Sequence, residues 1–562
     1  MIADPGHNSH SAQPSHSAQP VIAPTGGAPR GRPATLAVLC VTLLIISLDN
    51  TVLNVALPTI VRDLGASSSQ LQWMVDTYAV LFAGLLLSLG ALGDRVGRKW
   101  VFMGGLVVFG AGSTFAAWSG SPDRLTMARA VMGVGAAALM PCTLSILTNV
   151  FPAEKDRARA IGLWSGTAGA GVAFGPILGG VLLAHFWWGS VFLVNIPIAL
   201  AGLTAAIWFV PNSRNPSSTR PDPVGAILSI LGLGALLWGI IEAPSRGWSS
   251  PWIVGSLAAA MVMIGLFVTW ERRIDHPMLP LRFFGNRRYS AAIATLGLVL
   301  FALLGVFFLM TQYLQFVLGF SPLEAGIRIA PVALALLLIA PISAVAARRI
   351  GTKIVVVTGL ALIALGLVLL AQTSLPASYA DCLIPFMVLG VGVALALAPC
   401  TESVMGSLPR EEAGVGSATS DTSMQLGGAL GVAVLGTALS LRYQRLVGPL
   451  VVRAPTAAQA AIKGSIGGAL AVARRAPAAE GAALAALARR SFVSGMDLAL
   501  FIGAGVVGVA AVVVLLVLPN KGSDASPPRR SEGSDPGGAT ARAPVIGPTS
   551  VDERHPVPSN PS

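Results

Sequence analysis

The chain consists of long apolar runs separated by short polar turns. About fourteen runs lie between residues 36 and 518, each near the ~20 residues that a helix needs to cross a bilayer. The runs are continuous rather than alternating, which excludes the strands of a membrane β-barrel. The pattern predicts an all-α integral membrane protein with about 14 transmembrane helices, near residues 36–58, 73–92, 100–118, 125–149, 158–183, 191–210, 223–242, 252–270, 291–315, 324–346, 354–371, 382–403, 415–440 and 495–518.

Composition supports the same class of protein. Hydrophobic residues make up 54% of the chain and charged residues only 11%. Soluble domains carry about 25% charged residues, so a water-facing surface of this size is excluded. The net charge of +12 does not indicate a nucleic-acid partner, because the cations recur in short loops between apolar runs. The four cysteines are scattered without metal-ligand spacing, so we expect small core residues and no metal site.

The two ends of the chain differ from the rest. Residues 1–34 contain a tandem repeat of SHSAQP and three histidines, His7, His10 and His16. These histidines allow a metal-binding tail, but the low complexity favours a disordered cytoplasmic tail. Residues 520–562 are rich in Pro, Ser, Gly and Arg, and we expect a second disordered cytoplasmic tail there.

Loop charges predict the orientation in the membrane. Loops after the even-numbered runs carry most of the Lys and Arg, which places them and both termini in the cytoplasm. The segment 441–493 opposes this assignment, since its eight cations fall on the outer side. Its length is near the limit of the rule, and its Ala-rich composition predicts amphipathic helix on or beside the membrane. The Ala-, Gly- and Arg-rich usage suggests a high-GC bacterium, and thus a bacterial cell (inner) membrane.

A charged turn joins the second and third runs. Its sequence, GALGDRVGRK, resembles the signature loop of the major facilitator superfamily, G-x-L-(A/G)-D-R-x-G-R-(K/R), at every signature position. The resemblance implies two six-helix bundles around a central cavity, which rock between two access states. It also implies a role in conformational gating for Gly90, Asp94, Arg95, Gly97, Arg98 and Lys99.

Fourteen runs are more than two six-helix bundles need. This number of spans resembles the fourteen-span drug:proton antiporter branch of that superfamily. We therefore expect an N-terminal six-helix bundle over 35–210 and a C-terminal one over 291–519, with a long external loop at 441–493. Residues 211–290 would form two inserted helices and a basic cytoplasmic loop.

An acid lies inside the first apolar run. Asp49 belongs to SLDNTVLNVALPTI, and an ionised carboxylate there costs several kcal/mol without a partner or water. The stretch resembles the L-D-x-T-(I/V)-V-N-V-A-L-P motif of fourteen-span antiporters, which favours proton coupling by Asp49. The alternative is a structural role, with Asp49 hydrogen-bonding neighbouring helices through Asn50, Thr51 and Asn54. We assign Asn54 to substrate binding.

Arg129 lies in the fourth run, in a stretch that resembles the family pattern R-x-x-x-G-x-G-A. In the family this arginine is linked to proton transfer. Arginine stays charged in apolar surroundings, so it can act only by pairing or by changing a neighbour's ionisation. We predict a role in proton coupling, with a structural salt bridge as the alternative.

The fifth run resembles the antiporter signature G-x(3)-G-P-x-x-G-G. Glycines four residues apart predict a smooth face for close helix packing, and the proline predicts a bend. The resemblance implies export rather than import. The residues that match are Gly171, Gly175, Pro176, Gly179 and Gly180. The next run begins with residues 187–197, which resemble the family motif W-R-W-x-F-x-x-N-x-P.

Two acids in the second half are candidates for substrate binding. Asp421 precedes a run that resembles a family signature, and an acid at this place is found in exporters of organic cations. Glu402 lies at the inner end of the twelfth run, where a water-exposed helix-end carboxylate is an equal alternative. Apolar and aromatic walls would supply most of the burial of a cationic substrate. Asp76 and Asp497 are expected to be interfacial, and Glu242 to be structural.

The sequence contains no enzyme constellation and no Walker loop, so we predict a non-enzymatic transporter without cofactors, driven by the proton gradient. We expect it to exchange protons for small amphipathic, chiefly cationic, drugs or antibiotics across the lipid bilayer. Two alternatives stay open. One is a dedicated exporter of an endogenous antibiotic, lipid or amino acid, and the other is a non-transporting receptor or assembly protein on the same fold.

Overall fold

A computed structural model describes residues 31–214, 221–274, 277–372, 378–408, 413–452 and 454–518. The histidines of the N-terminal tail and the tail predicted at 520–562 lie outside these residues. Within the described ranges the chain forms helices and no strand. Fourteen of these helical segments are long and apolar enough to cross a membrane, so the predicted all-α membrane fold is confirmed.

The helices follow one another with short connections. The first half contains α1 (Arg32–Leu64), α2 (Ser68–Val96), α3 (Arg98–Ala117), α4 (Pro122–Val150), α5 (Glu154–His185), α6 (Ser190–Leu193) and α7 (Asn195–Phe209). The inserted pair is α8 (Pro223–Arg246) and α9 (Pro251–Arg273), followed by a 3-10 turn, Leu281–Gly285. The second half contains α10 (Arg287–Gln312) with a π turn at Tyr313–Val317, α11 (Pro322–Ile350), α12 (Thr352–Leu370), α13 (Ala380–Met405), α14 (Ala413–Val451), α15 (Thr456–Gly464), α16 (Ile466–Ala473) and α17 (Ala478–Val517).

Local sequence determines where several helices begin. Ser67 Oγ accepts the Gln70 backbone N–H at 3.3 Å, and Gln70 Oε1 accepts the Ser67 backbone N–H at 3.1 Å. This reciprocal capping box starts α2, and Ser321 with Glu324 forms the same arrangement at the start of α11. These caps satisfy backbone donors that the first helical turn leaves without partners.

The turn between α2 and α3 is shorter than the sequence predicts. α2 continues through Asp94 to Val96 and α3 begins at Arg98, so Gly97 alone joins the two helices. Gly97 has φ of 133°, which L side chains rarely adopt. The charges predicted for an open turn therefore lie on two helix ends.

The helices pack into two bundles joined by the inserted pair. α1 to α5 and α7 form one bundle, and α10 to α14 with α17 form the other. α8 packs on α9 and contacts both α2 and α14. Ser88 Oγ of α2 donates to the Asp222 carbonyl at 3.2 Å, and Thr437 Oγ1 of α14 donates to the Ile240 carbonyl at 3.0 Å. The inserted pair is thus hydrogen-bonded to both bundles.

The bundles meet on one side of the molecule. α5 meets α11 where a methyl group built on Gly180 would lie 2.6 Å from Leu323 Cα. α2 meets α14 where a methyl group on Gly436 would lie 2.8 Å from the Gln72 side chain. These contacts occupy the halves of α2 and α5 that are remote from Gly97, whereas the other half of α5 is largely exposed. The bundles are therefore closed on the face remote from Gly97.

The segment 441–493 is largely helical and lies on this closed face. Ser465 Oγ donates to the Ala66 carbonyl, beyond the end of α1, at 3.5 Å. Gly467 lies against Phe316 of the π turn, where a methyl group would come within 2.8 Å of the ring. The segment packs on the ends of both bundles, and its predicted place on or beside the membrane stays a prediction.

Three glycines allow α5 to pack closely against α1. A methyl group built on Gly175 would lie 2.9 Å from Thr51 Cβ, and one on Gly179 would lie 3.1 Å from Val52 Cγ1. Gly171, one turn earlier, meets the same helix. Glycines spaced by four residues lie on one helix face, so only small residues there keep the backbones in contact.

We expect Gly175→Leu to destabilise the protein by about 1–3 kcal/mol, because the added side chain forces α1 and α5 apart. Gly166→Leu is the matched control on the same helix, since a Cβ there meets no neighbouring atom within 4 Å. Thermal melting of the purified protein in detergent measures both effects. Equal melting temperatures for the two variants would contradict the proposed packing.

Candidate functional site

Asp49 of α1 and Arg129 of α4 form a buried ion pair. Arg129 Nη1 donates to Asp49 Oδ2, and each side chain is only 1% exposed. Arg129 Nε also donates to the Met74 carbonyl at 3.2 Å, and its guanidinium lies 4.2 Å from the centre of the Tyr78 ring. The structure therefore brings together the two residues that the sequence assigns to proton coupling.

Asn195 connects this pair to two further helices. Its Nδ2 donates to Asp49 Oδ1 and to Ser113 Oγ, each at 3.3 Å. The polar network thus links α1, α2, α3, α4 and α7. Sequence reasoning assigned no role to Asn195, although it is the asparagine of the motif at residues 187–197.

Asn54 lies one turn from this network but does not face the open cavity described below. It is 3% exposed, and its Nδ2 donates to the Asn50 carbonyl at 3.0 Å. Its Oδ1 has no hydrogen-bond partner among the described residues. The substrate-binding role assigned to Asn54 stays a prediction.

The two acids assigned to substrate binding in the second half lie in different surroundings. Asp421 of α14 is partly exposed, and it makes no ion pair within the described part of the chain. Glu402, near the end of α13, is 55% exposed and lies 3.6 Å from Arg348. This position matches the alternative of a water-exposed helix-end carboxylate. The structure does not place Glu402 beside the cavity.

The charged residues near Gly97 bond within the first bundle. Arg98 Nε donates to Asp94 Oδ1 at 2.7 Å, and Lys99 Nζ donates to the Ile207 carbonyl at 2.8 Å. Arg95 is exposed. In this conformation the predicted gating residues therefore hold the ends of α2, α3 and α7 together.

Asp76 is a candidate that sequence reasoning placed at the membrane interface. It is fully buried, and neither carboxyl oxygen has a partner among the described residues. On α2 it lies one turn from Gln72, which meets Gly436, and one turn from Val80, which belongs to the same apolar cluster as Ala433 of α14. Residues four apart share a helix face, so Asp76 faces the seam between the bundles. The sequence contains a signal for this burial, because Asp76 lies within the second apolar run.

A cavity of about 800 Å³ opens on the face that carries Gly97. It lies between α2, α4 and α14 and is covered by α9 and the segment that follows it. Its walls include Gly90, Asp94, Pro141 and Ala418. Ligand pockets for drug-sized molecules range over about 300–1,000 Å³, so the volume suits such a molecule.

Comparison with known proteins places this architecture in a family. Residues 39–432 match the Major Facilitator Superfamily. The chain is 37% identical over 479 residues to the multidrug efflux pump LfrA of Mycolicibacterium smegmatis, covering 85% of this chain and 95% of that protein. The chain belongs to the major facilitator superfamily.

Two further comparisons extend this assignment. The methyl viologen resistance protein SmvA of Salmonella typhimurium is 34% identical over 472 residues, which cover 83% of this chain and 94% of SmvA. A solved bacterial homologue of the human lysosomal transporter Spinster shares the fold, with a TM-score of 0.60 at 18% identity over 87% of this chain and 99% of that one. The predicted membership of the drug-exporting branch is confirmed.

Arg129→Met should destabilise the protein by about 3–5 kcal/mol, because it leaves the Asp49 carboxylate buried without its partner. Adding Asp49→Asn removes the second charge and should recover at least half of the loss. Arg246→Met, which breaks a partly exposed pair with Glu242 at 3.6 Å, is the control and should cost about 0–1 kcal/mol. Unfolding in mixed micelles of increasing SDS content measures these values. No recovery in the double variant would show that the pair is not the source of the loss.

Proposed function

We propose that this protein exports small amphipathic, chiefly cationic, drugs or antibiotics across the bacterial inner membrane in exchange for protons. The buried Asp49–Arg129 ion pair carries the proposal, because protonation of this intramembrane acid would remove the charge that balances a permanent cation. The relatives named as efflux and resistance proteins support the choice of drugs as substrates. A transporter of this kind needs no catalytic residue and no cofactor.

Protonation of Asp49 is the step that would couple the proton to movement. It removes the negative partner of Arg129, which keeps its bond to the Met74 carbonyl and its position over Tyr78. The contact between α1 and α4 then weakens. Because α1 packs on the glycine face of α5, and α5 meets α11 at Gly180, a shift of α1 reaches the seam between the bundles.

Asp76 would serve as a second proton carrier. With the seam closed, an ionised Asp76 would have neither a partner nor water, so this position favours the neutral acid. Separation of the bundles would admit water and allow the proton to leave. The ionised carboxylate would then oppose closure of the seam until it is protonated again.

Asp421 would attract the cationic substrate. It lies on α14 one turn beyond Ala418, which lines the cavity, and it is partly exposed. A carboxylate close to a cavity with apolar walls attracts a cation more strongly than one in bulk water does. The apolar walls would bury the rest of an amphipathic molecule.

The distribution of Lys and Arg among the loops favours a cytoplasmic position for the face with Gly97, so the open cavity would face the cytoplasm. The proton gradient would supply the energy. One proton that crosses a difference of one pH unit releases about 1.4 kcal/mol, which matches the cost of a tenfold drug gradient. One exchanged proton can thus sustain a useful gradient.

Asp49→Asn should reduce ethidium transport into everted vesicles at least about tenfold when a pH gradient is the driving force. Asp63→Asn, an exposed acid on the same helix, is the control and should transport normally. Immunoblots must show equal protein levels. Normal gradient-driven transport by Asp49→Asn would exclude its role as the coupling acid.

A susceptibility panel of cationic and neutral compounds would define the substrate range. Cells that express the protein should tolerate several unrelated cationic amphipaths. Protection against a single neutral compound would instead identify the alternative, a dedicated exporter of one endogenous product.

A further inference from the structure

Two buried carboxyl groups meet where the inserted helices begin and end. Asp222 precedes α8, Glu271 lies in the last turn of α9, and each is 3% exposed. Both contribute to the wall of the 800 Å³ cavity. A methyl group built on Gly225 would lie 2.9 Å from Glu271 Oε1 and 3.1 Å from Asp222 Cγ. The two carboxyl groups therefore contact the same glycine.

The hydrogen bonds of these two groups differ. Asp222 Oδ1 accepts the Gly225 N–H at 2.9 Å, and Asp222 Oδ2 accepts Trp270 Nε1–H at 3.0 Å. Glu271 Oε2 accepts the Leu279 N–H at 3.0 Å. Glu271 Oε1 has no hydrogen-bond partner in the described part of the chain. A buried carboxylate with a free oxygen is costly, so this oxygen, beside the Asp222 carboxyl, is open to a positively charged partner.

Apolar side chains form the wall around this acid. The segment after α9 places Met278, Leu281 and Phe283 on the cavity, opposite Leu86 of α2. Met278 is held to α2 through its sulfur, which lies 3.1 Å from Ser88 Oγ. Of the two buried carboxyl groups on this apolar wall, only Glu271 keeps an oxygen without a hydrogen-bond partner among the described residues, which suits a molecule that has a large hydrophobic surface and one positive charge.

Two arginines also line the cavity, and their exposure decides whether the cavity favours a positively or a negatively charged ligand. Arg272 and Arg282 are both exposed, and the Arg282 guanidinium lies 5.0 Å from the centre of the Phe283 ring. Water and salt screen exposed charges strongly, whereas a buried carboxylate acts through a lower dielectric. The cavity interior therefore favours a cation, whereas Asp94 on the same wall is already paired with Arg98.

We propose that this cavity is a vestibule site, in which Glu271 binds the charge of an amphipathic organic monocation before the substrate reaches Asp421. The volume fits one drug-sized molecule, and Ala418 on its wall lies three residues before Asp421 on α14. The inserted helices thus supply a binding residue as well as a bridge between the bundles. This inference rests on the proposed function, because it takes the exported cation as the ligand.

Photolabelling of the purified wild-type protein tests the site without any substitution. An azide derivative of ethidium, bound in detergent and illuminated, should label the tryptic peptide that covers residues 274–282. Excess tetraphenylphosphonium, a cation, should suppress this label, whereas the neutral triphenylphosphine oxide should not. Label confined to α14, or equal competition by the neutral compound, would overturn the vestibule.

Substitution of Glu271 tests the binding residue. Glu271→Gln keeps the shape and the bond from the Leu279 N–H but removes the charge, so the Kd for ethidium should rise about fivefold to tenfold. Glu242→Gln, on the same inserted pair but at the opposite face, should leave the Kd unchanged.

Ethidium extrusion by cells with the wild-type protein separates this inference from the proposed function. Normal extrusion with an unchanged Kd in Glu271→Gln would reject the vestibule and leave drug export intact. A wild-type protein that neither extrudes nor binds ethidium or tetraphenylphosphonium would reject both.

Discussion

The ion pair between Asp49 and Arg129 is the interaction on which the first bundle depends. Neither charge has access to water, so each is tolerable only because the other is present. The Met74 carbonyl, the Tyr78 ring and the Asn195 amide complete the coordination, which links α1, α2, α3, α4 and α7. A change of one proton at Asp49 therefore alters contacts between several helices at once.

Glycine contacts would convert such a change into movement of the bundles. Gly175 and Gly179 bring the α5 backbone against α1, while Gly180 brings the same helix against α11. A helix held on both sides by backbone contact transmits displacement with little loss, because there are no flexible side chains to absorb it. The ion pair and the glycine face thus belong to one mechanical path between the bundles.

Sequence reasoning captured what depends on local pattern. The fourteen spans follow from the length and continuity of the apolar runs, and the acid and arginine of the first bundle follow from their unusual place within such runs. The single-residue turn at Gly97 was missed because Asp94 and Arg98 pair across it, which extends both helices. The environments of Asp76 and Glu271 depend on α14 and α8, and no local pattern reveals those contacts.

The inserted helices make the two sides of the transporter unequal. α8 is hydrogen-bonded to Ser88 of one bundle and Thr437 of the other, and it covers the seam between α2 and α14. Among the described residues, no helix covers the seam between α5 and α11 in the same way. A molecule dissolved in the bilayer therefore meets a wall on one flank and an uncovered seam on the other. Lipid-soluble substrates would approach this transporter from a single side.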